Sequence, residues 1–208
     1  MQYAHHTRHS RGLSQEPLMR MLHNTAMVTR PKHPLSSRAA ANSAAGAAMA
    51  AQQSIELMPG DVALGLAGDG LRTLLGSCVS IILTDPRRTV GAMCHIVHVG
   101  APNAANRHNT AFGEVAMEDM FARLQGVGIA AQRCQAYVYG GGNMFPGIVT
   151  GASVGDRNAQ WAMDFLHDFG IEVLAYSLGG TWYRKVSWVV GRAQPQVENV
   201  SIEQGGYQ

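Results

Sequence analysis

The sequence has few cysteines, no long apolar run and almost no excess of charge, and each shortage excludes a class of protein. Its three cysteines are an odd number without paired spacing, which argues against a disulfide scaffold and favours a reducing, cytoplasmic compartment. No apolar run approaches the roughly 20 residues that cross a bilayer, so no membrane insertion is expected. A formal net charge of +2 is too small to indicate binding to nucleic acid or to an anionic membrane.

The first quarter of the chain also lacks the features of a folded core. It has no apolar segment typical of secretory signals, and its basic and polar residues precede an alanine-rich stretch that offers little surface to bury. We therefore expect residues 1–54 to form a disordered or partly helical extension, residues 55–200 the globular domain and residues 201–208 a tail. The histidines of the extension have no scaffold to fix them around a metal, so a solvated segment is the favoured interpretation.

One central stretch carries a candidate for chemistry. Two apolar runs at 79–83 and 90–99 flank a turn signal at Asp85 and predict two neighbouring strands. Cys78 stands at the entry of the first strand, and His95 lies in the second. Because adjacent strands are about 5 Å apart, side chains from the two can meet. A thiol within reach of an imidazole is the minimal equipment of a cysteine nucleophile and its base.

The hydrophobic periodicity of the remaining chain predicts strands, a helix, a strand, a second helix and further strands. This order is typical of a layered α/β domain with mixed sheets. The first helix is expected at 113–125, with Asn109 or Thr110 as its cap and Gly126 at its end. The second helix is expected at 157–169, with Ser153 or Asp156 as its cap. The predicted strands after residue 99 are 132–139, 171–177, 183–190 and 196–200.

Three consecutive glycines, 140–142, follow the strand predicted at 132–139. No Gly-Lys-Ser or Gly-Lys-Thr comes after them, and their spacing is not that of a dinucleotide-binding fingerprint, so a phosphate loop is rejected. Glycines at such a position favour a close approach of backbone beside a site or a partner. Asn143 follows them and either presents a polar side chain there or serves the turn.

Taken together and in this order, several motifs resemble those of the CheD chemoreceptor glutamine deamidases. The resemblance extends from about residue 55 to residue 197. The matching segments are Gly76-Ser77-Cys78-Val79-Ser80, Gly91-Ala92-Met93-Cys94-His95, Tyr139-Gly140-Gly141-Gly142-Asn143-Met144-Phe145, Val154-Gly155-Asp156-Arg157-Asn158, Phe169-Gly170-Ile171, and Leu178-Gly179-Gly180 before Arg184.

The resemblance implies an active site and a fold. Cys78 is the expected nucleophile, His95 its base, and Thr73, the only threonine shortly before the Gly-Ser-Cys motif, the third member. The expected fold is a layered sandwich of mixed β-sheets with helices packed outside, similar to the deamidases of the cytotoxic necrotizing factor type. The family needs no metal or other cofactor.

Backbone and loop groups complete the expected site. The amides around Gly76 and Ser77, with that of Cys78, are candidate donors to an oxyanion. Gly141, Gly142 and Asn143 are candidates for the wall that meets the substrate.

The other cysteines and histidines of the domain have simpler interpretations. Cys94 precedes His95 in a strand and points to the opposite face, so it is expected to be a buried structural cysteine. Cys134 is expected to be structural as well. His98 is also on the face opposite His95 in a regular strand, which favours a structural or rim role. Zinc binding by Cys78, Cys94 and His95 lacks any paired Cys-x-x-Cys spacing.

The function implied by the resemblance is that of a protein-glutamine glutaminase, which converts glutamine side chains of chemoreceptor cytoplasmic domains to glutamate through a Cys-His thioester. Two alternatives stay open. One is a non-catalytic chemotaxis adaptor that docks the CheC phosphatase. The other is transglutaminase-type transfer, in which an amine replaces water at the thioester.

Overall fold

A computed structural model describes residues 53–148 and 151–201 of the chain. Nearly all of the expected extension at 1–54 and tail at 201–208 lies outside these ranges, so the domain limits stay a prediction. The described elements are β1 (Ser54–Leu57), β2 (Val62–Leu66), β3 (Gly70–Leu75), β4 (Val79–Thr84), β5 (Val90–Cys94), α1 (Gly113–Gly126), a 3-10 helix (Ala131–Arg133), β6 (Gln135–Gly140), α2 (Val154–Asp168), β7 (Glu172–Leu178), β8 (Trp182–Val189) and β9 (Gln196–Ser201).

The strands form two mixed sheets. A four-stranded sheet has the order β1-β3-β8-β9, and a five-stranded sheet has the order β2-β5-β4-β6-β7. The pairs β1–β3 and β6–β7 are parallel, and the other pairs are antiparallel. The predicted α/β class with mixed sheets is therefore confirmed, whereas the likeness to deamidases of the cytotoxic necrotizing factor type stays a prediction.

The two sheets pack face to face around one apolar core. Leu71 and Trp188 of the four-stranded sheet meet Ile82, Met93 and Tyr137 of the five-stranded sheet there. Both helices lie against the five-stranded sheet, on its other face. Neither helix of the described ranges is long and apolar enough to cross a membrane.

Strand β4 lies at the centre of this arrangement. All six of its side chains are buried, as the almost wholly apolar run at 79–83 predicts for a strand covered on both faces. Its neighbours on the two sides are β5 and β6. The segments that carry Cys78 and His95 are therefore fixed by the most buried part of the molecule.

The start of α1 differs from the prediction. Phe112 occupies the N-cap position without a side-chain hydrogen bond, so neither Asn109 nor Thr110 caps the helix. The Asn109 side chain instead accepts a hydrogen bond from the amide of Ala111, and the Thr110 hydroxyl donates to the carbonyl of Gly60. Both side chains are thus used to hold the preceding loop, which the local sequence pattern does not reveal.

Other helix boundaries also differ in part. Gly126 belongs to α1, and the left-handed backbone after the helix is at Gly128, with φ of 81°. Helix α2 begins at Val154, earlier than predicted, because Ser153 caps it in a reciprocal pair of hydrogen bonds with Asp156.

The strand predicted at 90–99 ends at Cys94, because the following residues change partners. His95 pairs through its backbone with the turn before β2, Ile96 pairs with Val79, and His98 forms a bridge to Phe112. The strand predicted at 132–139 is also shorter, since a 3-10 helix occupies Ala131–Arg133 before β6 begins.

The turn between β4 and β5 is held by the carboxylate of Asp85. It accepts hydrogen bonds from the amides of Thr89 at 2.7 Å, Val90 at 2.9 Å and Arg87 at 3.2 Å, and from the Thr89 hydroxyl at 3.1 Å. Burial raises the pKa of this carboxyl, but the donated hydrogen bonds outweigh burial and hold the pKa below its ordinary value.

We expect Asp85→Asn to lower the free energy of unfolding by about 2 kcal/mol at pH 7, because an amide cannot accept this set of hydrogen bonds. A carboxyl with a lowered folded-state pKa stabilises the fold above its unfolded pKa, about 3.9, and loses that effect as pH falls. The difference in free energy of unfolding between the native protein and Asp85→Asn should therefore shrink below about pH 4. Urea unfolding of both proteins at pH 7 and at pH 3 measures this difference.

The matched control is Asp119→Asn, which removes a partly exposed carboxylate paired with Arg123 on α1. Its effect should be only a few tenths of a kcal/mol. Equal losses for the two variants would contradict the importance of the Asp85 turn.

Candidate active site

Cys78 and His95 lie on neighbouring segments of the five-stranded sheet and face the same way. Val79 and Ile96 exchange two backbone hydrogen bonds, of 3.0 and 2.8 Å, and are directly opposed in an antiparallel bridge. Cys78 and His95 are diagonal neighbours across this bridge, a relation with Cα atoms about 7–8 Å apart. Because side chains alternate along an extended backbone, both residues point towards the four-stranded sheet.

The backbone of His95 is clamped on both sides. Its amide donates to the carbonyl of Asp61 at 2.9 Å, and its carbonyl accepts from the amide of Gly60 at 2.8 Å. The side chain is 3% exposed. The imidazole is therefore a fixed feature of the domain rather than a mobile surface group.

Thr73 meets the imidazole from the opposite sheet. Its hydroxyl oxygen lies 2.8 Å from Nδ1 of His95 and also 2.8 Å from the carbonyl oxygen of Leu57. A hydroxyl has one hydrogen to donate, and the Leu57 carbonyl can only accept. The hydroxyl therefore donates to Leu57 and accepts from Nδ1, which assigns the ring proton to Nδ1. The other ring nitrogen, Nε2, is left with a free lone pair.

Burial shifts both titratable groups of this site towards their neutral forms. Burial lowers the pKa of His95, and the Leu57 carbonyl and the charge of Asp61 offset this only in part. Burial likewise raises the pKa of the Cys78 thiol, against a weaker hydrogen bond from its own backbone amide. The structure thus presents a neutral thiol and a neutral imidazole near pH 7.

The Cys78 side chain is half-buried, in contact with the edge of the inter-sheet core. In the described part of the chain the sulfur is not hydrogen-bonded to the imidazole. Catalytic hydrogen bonds are often long before substrate binds, and a diagonal pair can close by side-chain rotation. The arrangement is therefore that of a thiol beside a candidate base, with no hydrogen bond between the two in this structure.

The loop that carries Cys78 is held by its carbonyl groups. The carbonyls of Gly76 and Cys78 accept from the amides of Gly142 and Gly141, each at 2.8 Å. The Ser77 carbonyl accepts from the side chain of Asn158 at 2.9 Å. Among the described residues, the amides of Gly76, Ser77 and Cys78 donate to no other backbone carbonyl. Adjacent amides that no backbone carbonyl accepts, beside a candidate nucleophile, are suited to an oxyanion.

The glycines at 140–142 support this loop from below. Gly140 has φ of 113°, and a Cβ there would lie 2.2 Å from the carbonyl oxygen of Cys78. Gly141 and Gly142 are buried beneath the loop, so their contribution in this structure is to its backbone. Asn143 is half-buried and closes a turn, its side-chain oxygen accepting from the amide of Phe145.

Two further buried polar residues contact this region, and the sequence analysis assigned a role to neither. Asn158 donates from α2 to the cysteine loop, and Arg184 donates to Ser177 and to the Gly179 carbonyl. Both are 1% exposed. Both lie in or beside segments that match the family motifs, and this match was the only indication in the sequence that they matter. The direction in which their side chains point depends on packing between elements far apart in sequence.

The remaining cysteines and histidine take the places expected for them. Cys94 is fully buried, with its thiol against the Ile81 carbonyl, and burial raises its pKa to about 12. Cys134 is also buried, with a pKa raised by burial to about 11. His98 is exposed and packs against the ring of Phe112. Within residues 53–148 and 151–201, no three His, Cys, Asp or Glu side chains are grouped as metal ligands.

An open cleft of about 370 Å³ lies on the side of α2, and Thr73, Cys78 and His95 do not line it. Its lining comes from the segment after His95, from Phe112 and from the start of α2. The lining residues are Val97, His98, Val99, Gly100, Phe112, Val154, Arg157 and Asn158.

The tautomer of His95 is directly measurable. We expect ¹⁵N NMR of the native protein above pH 7 to show Nδ1 protonated and Nε2 unprotonated. Thr73→Val keeps the shape of the side chain but removes the hydroxyl that accepts from Nδ1, so the preference for a proton on Nδ1 should weaken and some of the Nε2-protonated tautomer should appear. Thr73→Ser, which keeps the hydroxyl, is the matched control and should behave like the native protein. A native ring protonated at Nε2 would contradict the assignment.

Comparison with known proteins identifies the family. The family model described as CheD chemotactic sensory transduction matches residues 99–198. A probable chemoreceptor glutamine deamidase CheD 2 of Albidiferax ferrireducens is 40% identical over 136 residues, which cover 64% of this chain and 79% of the relative. A probable chemoreceptor glutamine deamidase CheD of Rhodospirillum rubrum is 36% identical over 124 residues, covering 60% and 69%. That of Desulfitobacterium hafniense is 31% identical over 129 residues, covering 61% and 81%. The chain belongs to the CheD family.

Proposed function

We propose that this protein hydrolyses the side-chain amide of glutamine residues on chemoreceptors, with Cys78 as nucleophile and His95 as base. The observation that carries the proposal is the hydrogen bond between Thr73 and His95, which directs the free lone pair of Nε2 away from Thr73. The similarity to probable chemoreceptor glutamine deamidases supports the same reaction and the same class of substrate.

The first chemical step is attack on the carboxamide carbon. Since the thiol is neutral at rest, its proton passes to Nε2 of His95 as the sulfur attacks. The carbonyl oxygen becomes an oxyanion, and the amides of the Gly76–Cys78 loop, which donate to no backbone carbonyl, are the groups available to stabilise it. Losing one such donor typically costs about 10²–10³ in rate.

The second half of the reaction releases ammonia and restores the thiol. The protonated His95 donates to the nitrogen, because ammonia leaves far more readily than an amide anion. A thioester between Cys78 and the glutamyl side chain remains. His95 then deprotonates a water molecule, and hydrolysis yields glutamate. Throughout, Thr73 holds the Nδ1 proton, the task that a carboxylate or amide performs in other triads.

The proposed substrate is the cytoplasmic part of the receptor, so the protein would act in the cytoplasm. Replacing a neutral glutamine by glutamate on a packed helical bundle adds a negative charge. Like charges at helical spacing repel, and such repulsion can bias a signalling equilibrium. No metal or other cofactor enters any of these steps.

The direct test is mass spectrometry of a receptor cytoplasmic fragment incubated with native protein, Cys78→Ala or His95→Ala. We expect a gain of about one dalton at particular glutamines with the native protein, and a rate at least about 10³-fold lower for each variant. Cys94→Ala is the matched control, since its thiol is buried away from the site, and it should retain deamidation. An active Cys78→Ala protein would defeat the mechanism, and native protein that binds the fragment without changing its mass would favour the adaptor function.

The pH dependence follows from the two shifted pKa values. The active pair needs neutral His95 and protonated Cys78, so kcat/KM should rise to a plateau with a midpoint below about 6.5. Because the pKa of Cys78 is raised, the thiol stays protonated at pH values above about 8.5, the pKa of an ordinary cysteine. The rate of its alkylation by iodoacetamide should therefore still increase at pH 9. Alkylation that is already maximal at pH 6 would indicate a thiolate–imidazolium pair and contradict the neutral pair.

A further inference from the structure

Asn158 joins the cysteine segment to the histidine segment through a single amide group. Its Nδ2 donates to the Ser77 carbonyl at 2.9 Å and to the Val97 carbonyl at 3.2 Å. Ser77 immediately precedes the cysteine, and Val97 lies two residues after the histidine. Because both neighbours are acceptors, the amide nitrogen and not the oxygen must face them. Both hydrogens of one side chain are therefore committed to the two halves of the site.

The fold places this side chain with little freedom. Gly155, in the first turn of α2, lies close to the three glycines 140–142, which we call the glycine loop. A Cβ on Gly155 would be 2.3 Å from the Gly142 carbonyl oxygen. The capping pair of Ser153 and Asp156 fixes the start of the helix at the same point. Asn158 follows one turn later and is 1% exposed. Helix α2 thus packs on the glycine loop, and the side-chain amide of Asn158 reaches the cysteine and histidine segments from the helix side of the five-stranded sheet.

The hydrogen bond to Ser77 sets the direction of the peptide that enters Cys78. In a planar trans peptide, the carbonyl and the following N–H point in opposite directions. With the Ser77 carbonyl directed at Asn158, the Cys78 amide is directed away from α2, towards its own sulfur, with which it forms a hydrogen bond. The carbonyls of Gly76 and Cys78 are fixed by the glycine loop, so Asn158 controls the one remaining peptide.

We propose that Asn158 is a positioning residue, which holds the Ser77–Cys78 peptide so that the Cys78 amide is presented to the oxyanion, and which fixes the distance between the cysteine and histidine segments. This inference rests on the proposed function. The residue does not touch the reacting atoms, and its effect passes entirely through the two carbonyls that it binds.

The test compares two reactions of the same sulfur in native protein, Asn158→Asp and Asn158→Ala. Deamidation of a receptor fragment passes through an oxyanion, whereas alkylation of Cys78 by iodoacetamide does not. We expect kcat for deamidation to fall about 100-fold with KM changed less than about threefold, while the alkylation rate stays within about threefold. Asn158→Ala introduces no buried charge and serves if Asn158→Asp does not fold.

The control is Asn103→Asp, which makes the same chemical change at an exposed loop position where the side-chain oxygen accepts from the amide of Ala105. A carboxylate can accept there equally well, so both rates should match the native protein. Equal losses of deamidation and alkylation in the Asn158 variants would show general damage and overturn the proposal. Unchanged deamidation would overturn it too.

Hydrogen exchange tests, without a substrate, whether Asn158 links the cysteine and histidine segments. It therefore distinguishes failure of this inference from failure of the proposed function. The amides of Val79 and Ile96 form the bridge between the two segments. We expect Asn158→Ala to speed their exchange about 10-fold, with the amide of Val186 in β8 unchanged. Exchange that is unchanged at Val79 and Ile96 would contradict the linkage, whatever the native protein does to receptors.

Discussion

The candidate site depends on one hydrogen bond that crosses the core between two sheets, from Nδ1 of His95 to the hydroxyl of Thr73. Neither residue is useful without the other. A buried imidazole with an unpaired N–H costs roughly 1–3 kcal/mol, and an unanchored ring can present either nitrogen to the thiol. Because the Leu57 carbonyl takes the only hydrogen of the hydroxyl, the choice of tautomer is made by the fold before any substrate arrives.

The candidate site around this hydrogen bond is built from both side chains and backbone peptide groups. The candidate catalytic side chains come from the ends of strands and the segments beside them. The peptide groups of the cysteine loop are directed by neighbours that contribute no reactive atoms: two glycine amides from one side and the amide of Asn158 from the other. Glycine is required at 140 because backbone approaches backbone there, at a distance that a methyl group would prevent. The loop is thereby held by hydrogen bonds to all three of its carbonyl groups.

The sequence predicted the parts of the molecule that depend on local patterns. The almost wholly apolar run at 79–83 predicted β4, and the turn at Asp85 predicted the β4–β5 pair that sets Cys78 beside His95. It could not predict that the chain leaves β5 after Cys94, because the new partners of His95 lie in the turn before β2, more than thirty residues earlier. The cap predicted for the first helix was wrong for a similar reason, since Asn109 and Thr110 are used by tertiary contacts of the loop. Asn158 stood in a matching motif, yet only the packing of α2 on the glycine loop shows where its amide points.

The measurement that tests the account most directly is the partition of the glutamyl group between water and an added amine. If Cys78 forms a thioester, hydroxylamine should intercept it and give a glutamyl hydroxamate about sixteen daltons heavier than glutamine. We expect the hydroxamate to increase with hydroxylamine concentration at the expense of glutamate, and both products to depend on Cys78. Formation of glutamate alone at every hydroxylamine concentration, with Cys78 unmodified throughout, would indicate direct attack by water and contradict the account.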